Sequence, residues 1–392
     1  MKITFMLGNG FDIGLGLDTS YESFYQHYCS NTDKDNENIK KFKAYLAKRQ
    51  DEDVKKIIDW SDFEMAFGQH SNDFDENQKQ DFIERFEDFV MRFNEYIEEK
   101  EKRVDYSDAG KIGEMMKSAV TTYYHVRPAD RAAVQAIYEA YPSSVREYSF
   151  ITFNYTKTMD ECAERLKTYI EKDNARRVGK ILHIHGYLED TMIMGVNDAS
   201  QISNPVFAKD EDIIREIVKP RQNADARMNY EKNVVSAIDS SDIICVYGMS
   251  LGDTDKKWWT YLANWLAKGQ RRALVILKYD KDCSKRFPFQ VRNKTDEVLK
   301  RFLSFAELDD TVKENISKRI YIGINHNVFG MKLYKEKLEN KKSDISRVLS
   351  AEVSFDPNFG AAGIDIDERM LRALLDSKEG MQASLSALDM DA

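Results

Sequence analysis

Residues 2–16 read KITFMLGNGFDIGLG, in which an apolar run passes directly into a glycine-rich turn. Short, nearly continuous apolar runs bounded by turn residues are typical of strands buried on both faces of a parallel sheet. Similar runs follow at residues 149–153, 180–184, 242–247, 273–277 and 319–324. Helical patterns lie between them, at residues 157–171, 210–219, 256–268 and 296–305. This alternation predicts an α/β fold with a doubly wound, mainly parallel, six-stranded Rossmann-like sheet.

The long segment between the first two predicted strands, residues 30–142, departs from this alternation. It is rich in Asp, Glu, Lys and aromatic residues and is predicted to form several amphipathic helices. The clearest covers residues 82–103, in which Phe82, Phe86, Phe89, Val90, Phe93 and Ile97 recur at helical spacing. Such a stripe is typical of a helix that faces a core or a partner. We therefore predict a discontinuous α/β domain, residues 1–29 and 143–342, interrupted by a helical insertion.

The last segment, residues 343–392, has mostly loop composition and one predicted helix at residues 367–375. A terminal segment that is ordered must be held by contacts with other surfaces. We expect this segment to contact another chain, either a second copy in a homo-oligomer or a partner protein.

Composition excludes some classes of protein and disfavours others, nucleic-acid-binding proteins among them. The 392 residues carry a net charge of -9, which gives nucleic acid no broad electrostatic footprint. No run approaches the roughly 20 apolar residues that a membrane helix needs. The four cysteines lie far apart without a Cys-x-x-Cys pair, so they indicate neither a zinc site nor a disulfide framework. We expect a cytoplasmic protein with buried thiols and no metal.

Ligands of open parallel sheets bind beyond the carboxyl ends of the strands, and this edge carries small or hydrogen-bonding residues here. The candidates for nucleotide binding are Gly8, Asn9, Gly10, Phe11, Asp12, Thr152, Tyr155, Gly186, Gly248, Ser250, Leu251, Asp253 and Asp255. Glycines allow backbone N–H groups to approach a diphosphate closely. The first turn has the spacing G-x-G-x-x-x-G instead of the dinucleotide fingerprint, so a purely structural tight turn remains the alternative.

The candidate catalytic residues are Asn154 and His185, each just after a predicted strand. His183 and His185 share one face of their strand, with His185 at the mouth and His183 deeper. A buried structural role is the alternative for both histidines. Asp12 is predicted either to contact the ribose or the catalytic histidine, or to cap a helix.

Two further pairs of acidic residues have competing interpretations. Asp253 and Asp255 precede a predicted helix and either cap it or contact nucleotide. Asp62 and Glu64, in the sequence WSDFE, are favoured as solvated or capping carboxylates. Glu64 would reach the site if the insertion folds over the edge of the sheet.

The order of these motifs resembles the sirtuin superfamily, in which a glycine turn, an Asn element, a His-Gly element and a Gly-Thr-Ser-Leu element follow one another. Here they are Gly8-Asn9-Gly10, Phe153-Asn154-Tyr155-Thr156, His185-Gly186 and Gly248-Met249-Ser250-Leu251. More closely, LGNGFDIGLGLDTSYESF, WSDFE, TFNYT, HIHG and GMSLGDTD resemble the AbiH-like family of bacterial abortive-infection proteins, over residues 1 to about 330. The resemblance implies an anti-phage protein with a sirtuin-like fold that acts on NAD.

Two departures from the sirtuin pattern bear on the reaction. Thr156 stands where sirtuins have an Asp, so the role of that carboxylate must be filled otherwise or be dispensed with. The zinc-binding cysteine module of deacylating sirtuins is missing, so hydrolysis of NAD at the nicotinamide–ribose bond is favoured over deacylation.

The resemblance also implies roles for individual residues. Asn154 would hold the ribose and the attacking water, and His185 would be the general base. The Gly8–Asp12 turn would bind the diphosphate of NAD, and the Gly248–Ser250 turn the adenosine side. Activity would be held off until triggered, through a homo-oligomer or a partner defence protein. The alternative is a sensing or scaffold subunit that binds NAD or ADP-ribose without turnover.

Overall fold

The computed structural model describes residues 1–32, 35–52, 60–124, 126–141, 145–188, 192–225 and 230–333. They lie within one compact unit, Met1–Lys335. The predicted interaction segment at residues 343–392, with its predicted helix, lies outside the described residues.

A parallel sheet of six strands forms the centre of this unit, as predicted. Its strands are β1 (Lys2–Leu7), β2 (Arg146–Thr152), β3 (Arg176–His183), β4 (Ile243–Tyr247), β5 (Ala273–Lys278) and β6 (Ile320–Ile324). Their order across the sheet is β3-β2-β1-β4-β5-β6, so the winding reverses between β1 and β4. The register aligns Leu7 with both Thr152 and Tyr247, and Thr152 with His183. Four strand ends are therefore level at one edge, where a doubly wound sheet binds its ligand.

Helices surround the sheet. In chain order they are α1 (Gly10–Gly14), α2 (Tyr21–Ser30), α3 (Glu37–Glu52), α4 (Trp60–His70), α5 (Lys79–Glu101), α6 (Ala109–Thr122), α7 (Pro128–Glu139), α8 (Thr158–Ile170), α9 (Glu211–Ile217), α10 (Lys219–Asp225), α11 (Tyr230–Asp239), α12 (Lys256–Lys268), α13 (Pro288–Ser304) and α14 (Asp310–Ser317).

The two faces of the sheet are buried under separate groups of helices. Phe5 and Leu7 of β1 face a cluster that includes residues of α6 and α8, whereas Met6 faces a cluster that includes residues of α11, α12 and α13. Successive residues of a strand point to opposite faces, so a strand covered on both sides must be apolar throughout. This requirement explains the nearly continuous apolar runs in the sequence.

The predicted helical insertion packs in two places. Helices α6 and α7 supply Met116 and Val134 to the cluster on one face of the sheet. Helices α2 to α5 form a third cluster together with Tyr155 and with Ile213 of α9. The aromatic stripe of α5 belongs to this cluster, and Phe89 is fully buried. The stripe is therefore a core stripe, and it fixes α5 against the edge of the sheet that carries Tyr155.

Two predicted helices differ from those observed. Helix α13 begins at Pro288, eight residues before the predicted start. Its first turn leaves Phe289 largely exposed, so this turn lacks the apolar periodicity on which the prediction depended. The helix predicted at residues 210–219 is divided, because Val218 is extended and pairs with Val196.

Candidate functional site

A pocket lies where the ends of β1, β2, β3 and β4 meet. Its cavity volume is about 100 Å³, and further space at its mouth is open to solvent. The predicted residues that line it are Gly8, Asn9, Asp12, Asn154, Tyr155, His185, Gly248, Ser250 and Asp255. Both candidate catalytic residues thus share one pocket with most of the candidate nucleotide-binding residues.

The glycine turn after β1 packs tightly against the turn after β4. A Cβ atom at Gly10 would lie 2.5 Å from the Cα of Gly248, and Gly248 has a φ of +67°. The N–H of Gly8 donates to the carbonyl of Tyr247, and that of Gly10 to the carbonyl of Gly248, at 3.0 and 2.8 Å. The N–H of Phe11 donates to the carbonyl of Gly8. These three amides are therefore engaged within the protein, and the glycines are required for the close approach of two backbones.

Asn9 is held by residues of the same segment. Its Nδ2 donates to the carbonyl of Thr19 at 2.8 Å, and its Oδ1 accepts from the Thr19 hydroxyl at 2.6 Å. Phe11 points away from the pocket and packs against Phe329 in the core. Of the predicted diphosphate turn, Gly8, Asn9 and Asp12 line the pocket, whereas Gly10 and Phe11 do not.

Asp12 lies inside α1 and therefore does not cap a helix, so that alternative was wrong. Its side chain is buried, and Oδ2 accepts from the Thr156 hydroxyl at 2.8 Å. Burial raises the pKa of the Asp12 carboxyl to about 7, against the lowering effects of Thr156 and of the neighbouring Asn154 amide. Thr156, which follows β2, thus fixes a carboxyl that follows β1 at the edge of the pocket.

Asn154 is buried at the end of β2. Its N–H donates to the hydroxyl of Thr152 at 3.1 Å, so Thr152 supports the turn from within the core without lining the pocket. Within the described ranges, neither Asn154 Nδ2 nor Asp12 Oδ1 has a hydrogen-bond partner, although both atoms are buried. The Asn154 amide nevertheless lies beside the Asp12 carboxyl, because it lowers the carboxyl pKa as a hydrogen-bond donor. Such open polar atoms are costly and indicate a place for a ligand.

His185 follows β3 and is flanked by aromatic rings. Its ring centroid lies 5.6 Å from that of Phe153 and 6.2 Å from that of Tyr155. Burial lowers the pKa of His185 well below its usual range, and the positive charge of Lys219 lowers it further. The imidazole is therefore neutral at pH 7. Gly186, with a φ of +71°, forms the turn after it but does not line the pocket.

His183 has a separate environment. Its Nε2 lies 2.7 Å from Oδ2 of Asp160 on α8, and its ring packs edge-on against Tyr187. Its side chain does not line the pocket. The prediction that His183 lies deeper than His185 agrees with this arrangement.

Glu64 of α4 does reach the pocket, and its interpretation as a solvated or capping carboxylate was wrong. It is buried, accepts from Lys219 Nζ at 2.5 Å, and accepts from the N–H of Gly195 at 3.2 Å. Burial raises the pKa of Glu64, whereas Lys219 lowers it. The side chain of Asp62 lies outside the described part of the structure. Lys219 was not predicted, because a lysine before Pro220 gives no sequence signal of burial.

The segment after β4 is divided between the pocket and the surface. Ser250 and Asp255 line the pocket, and Asp255 occupies the N-cap position of α12. Asp253 is exposed and accepts from Arg301 at 3.0 Å, and Arg301 also donates to the carbonyl of Leu251. Neither Leu251 nor Asp253 lines the pocket. Further lining residues that were not predicted as site residues are Thr19, Phe93, Ile97, Phe153 and Met249.

The charges in the pocket wall are predominantly negative. Three carboxyls line it, those of Asp12, Glu64 and Asp255. Among the described lining residues there is one lysine, Lys219, and no arginine. In the part of the chain that is described, no three His, Cys, Asp or Glu side chains are arranged to hold a metal ion. None of the described helices combines the length and apolarity needed to cross a membrane.

The parallel sheet, whose strand order reverses between β1 and β4, defines a Rossmann-like α/β protein with a pocket at the switch point. The family can be stated more closely. The model of the bacteriophage abortive infection AbiH family matches residues 4–277, so the chain belongs to the AbiH family. Membership implies a role in abortive infection of bacteriophages. Among curated proteins, no significant match was found.

Proposed function

We propose that this AbiH protein hydrolyses NAD at the bond between nicotinamide and ribose, releasing nicotinamide and ADP-ribose, and that this reaction carries its role in abortive infection. The observation that supports it most directly is the meeting of Asn154 and His185 in one pocket at the switch point of the sheet. The sirtuin-like order of the motifs supports the same reaction. NAD is the substrate, and no metal is required.

The leaving group needs no acid, because the pyridinium of NAD departs as neutral nicotinamide. The pocket must instead stabilise positive charge that develops on the ribose in the transition state. Its carboxyls, Asp12, Glu64 and Asp255, suit this requirement in their ionised forms, since preorganised negative charge near a developing cation lowers the barrier. The same charges favour binding of the cationic nicotinamide end in the pocket, with the diphosphate towards solvent.

Asn154 and His185 position the reacting groups. The open amide nitrogen of Asn154 donates to a ribose hydroxyl or to the attacking water. His185 is neutral, so its ring accepts a hydrogen bond from a ribose hydroxyl or from water. The rings of Phe153 and Tyr155 beside it form a wall against which the flat nicotinamide packs.

Control of the activity is part of this proposal, because continuous hydrolysis of NAD would kill the host. The protein is held inactive by self-assembly or by a partner defence protein until infection. We assign residues 343–392 to such a contact, in line with the expectation for this segment in the sequence analysis.

The experiment is incubation of the purified protein with NAD, followed by chromatographic separation of nicotinamide and ADP-ribose. The same assay is run on lysates of phage-challenged cells, so that a protein held inactive until infection is also measured. Release of both products, abolished in Asn154→Ala, supports the proposal. Binding of NAD without release in either setting would instead support a sensing subunit.

A further inference from the structure

Asp12 is a buried carboxyl in the wall of the pocket, and contact with the nucleotide alone does not account for its burial. Its side chain is only 1% exposed, yet it lines the pocket. Thr156 donates to one oxygen, Oδ2, at 2.8 Å, whereas the other oxygen, Oδ1, has no well-formed hydrogen bond with the described residues, and the Asn154 amide is the donor beside the carboxyl. A buried carboxyl oxygen without a donor is costly to keep. Its retention indicates that the donor is supplied by a ligand or by water during the reaction.

The neighbouring atom on Asn154 completes this arrangement. Nδ2 of Asn154 is a buried donor without an acceptor in the described part of the protein, and it belongs to the side chain beside the Asp12 carboxyl. A water molecule both donates and accepts hydrogen bonds. One water bound to both side chains from the pocket would donate to Asp12 Oδ1 and accept from Asn154 Nδ2, with a lone pair left for attack.

We propose that Asp12 is the catalytic residue that accepts the proton of the attacking water, with Thr156 as a positioning residue that fixes its carboxyl; this assignment rests on the proposed hydrolysis of NAD. The water oxygen forms a bond to C1′ of the ribose. The C1′–nitrogen bond breaks, and its electron pair remains on the nicotinamide nitrogen. The water proton passes to Asp12 Oδ1 and then to solvent, so the products are nicotinamide, ADP-ribose and one proton.

This assignment gives His185 and Asp12 different roles in the reaction. His185 has a pKa well below its usual range and is a weak base, which suits a hydrogen bond to a ribose hydroxyl. The pKa of Asp12 is about 7, near the pH at which a general base is most effective. The charged or titratable groups that face Asp12 are Glu101 at the end of α5, Tyr106, Cys162 on α8 and His183 on β3.

The test compares rates of nicotinamide release between pH 5.5 and 9 for the wild-type protein, Asp12→Asn and Thr156→Val. The wild-type rate should rise through a pH near 7, as the carboxyl ionises. Asp12→Asn should lose about 10²- to 10⁴-fold in rate, together with this rise. Thr156→Val keeps the carboxyl but lacks the donor that lowers its pKa, so its rise should move to higher pH. Asp310→Asn, an exposed substitution on α14, is the matched control.

Three outcomes would overturn the assignment. The first is an Asp12→Asn rate within about threefold of wild type, given the 10² expected of a lost general base. The second is a pH profile unchanged by Thr156→Val, which also decides the matter if Asp12→Asn does not fold. In both cases the proposed hydrolysis would stand. Absence of nicotinamide release by the wild-type protein, both purified and in phage-challenged cells, would refute the hydrolysis itself and the assignment with it.

Discussion

The glycine turn and the polar side chains beside it lie at the same edge of the sheet, but their hydrogen bonding differs. In the turn, the amides of Gly8, Gly10 and Phe11 are all satisfied by backbone carbonyls. Among the side chains, Asp12 and Asn154 each keep a buried atom without a partner in the described residues. The difference teaches that glycine here serves the contact between two backbones, whereas the capacity to bind a ligand is concentrated in the side chains.

The comparison predicts its largest effect for the side chains that have open atoms. Asn154→Ala or His185→Ala should lower nicotinamide release about 10²- to 10⁴-fold, because each removes a group that contacts the reacting atoms. The melting temperature should change by only a few degrees, since neither side chain has all its polar atoms satisfied in the fold. Nicotinamide chromatography and thermal melts measure the two effects. Full activity in both variants would refute their assignment, and Asn315→Ala on the surface is the control.

The next effect concerns the buried ion pair that closes one side of the pocket. Lys219→Met should destabilise the protein by about 3 to 5 kcal/mol, because it leaves the Glu64 carboxylate buried without its cation. The double variant Glu64→Gln with Lys219→Met should recover part of this loss. Urea unfolding gives both values. The control is Lys318→Met, whose exposed pair with Glu314 should contribute less than about 1 kcal/mol. If Lys219→Met and Lys318→Met lost the same free energy of unfolding, burial would not explain the importance of the Glu64–Lys219 pair.

A smaller loss is expected in the glycine turn. Gly248→Ala should cost at least about 1 to 3 kcal/mol, because a residue with a side chain is strained at a φ of +67°. A Cβ there would also lie 2.6 Å from the nitrogen of Phe11. Gly110→Ala on α6 is the control, since its nearest atom would be 3.7 Å away. Urea unfolding checks both. A Gly248→Ala variant as stable as the wild type would show that the two turns are not in tight contact.

The smallest effect is the pH dependence of stability conferred by Asp12. Burial raises its pKa in the folded state to about 7, so the folded protein binds the proton more tightly than the unfolded chain. Tighter proton binding stabilises the folded state fully at low pH, and this contribution to the free energy of unfolding is lost as the pH rises through about 7. Between pH 6 and 8, wild type should therefore lose about 1 kcal/mol relative to Asp12→Asn. Denaturation at the two pH values measures this, and parallel curves for both proteins would contradict the raised pKa.

Much of the fold could be predicted, because strands buried on both faces need apolar residues at every position. Residues 2–7 and 273–277 carried this signal, and the observed strands lie within a few residues of the predicted ones. The start of α13 could not be predicted, since its first turn is exposed and has no apolar periodicity. The segment between β1 and β2 was recognised as helical, but its division between the sheet and a separate cluster depends on contacts distant in sequence.

The site residues that come directly after a strand could be predicted from the sequence. Asn154 and His185 were found because parallel strands finish at one edge, whatever lies between them in the sequence. Lys219 and Phe93 were missed, because they enter the pocket from α10 and α5, which the strand pattern does not place. The engagement of the glycine amides was also invisible, since it depends on the contact between two turns about 240 residues apart.

The central claim is that the pocket with Asn154 and His185 hydrolyses NAD. It is tested most directly by measuring NAD and nicotinamide in phage-challenged bacteria that express either the wild-type protein or Asn154→Ala at equal levels. We expect NAD to fall and nicotinamide to rise with the wild-type protein only. Protection from phage with unchanged NAD in the wild-type cells would contradict the claim.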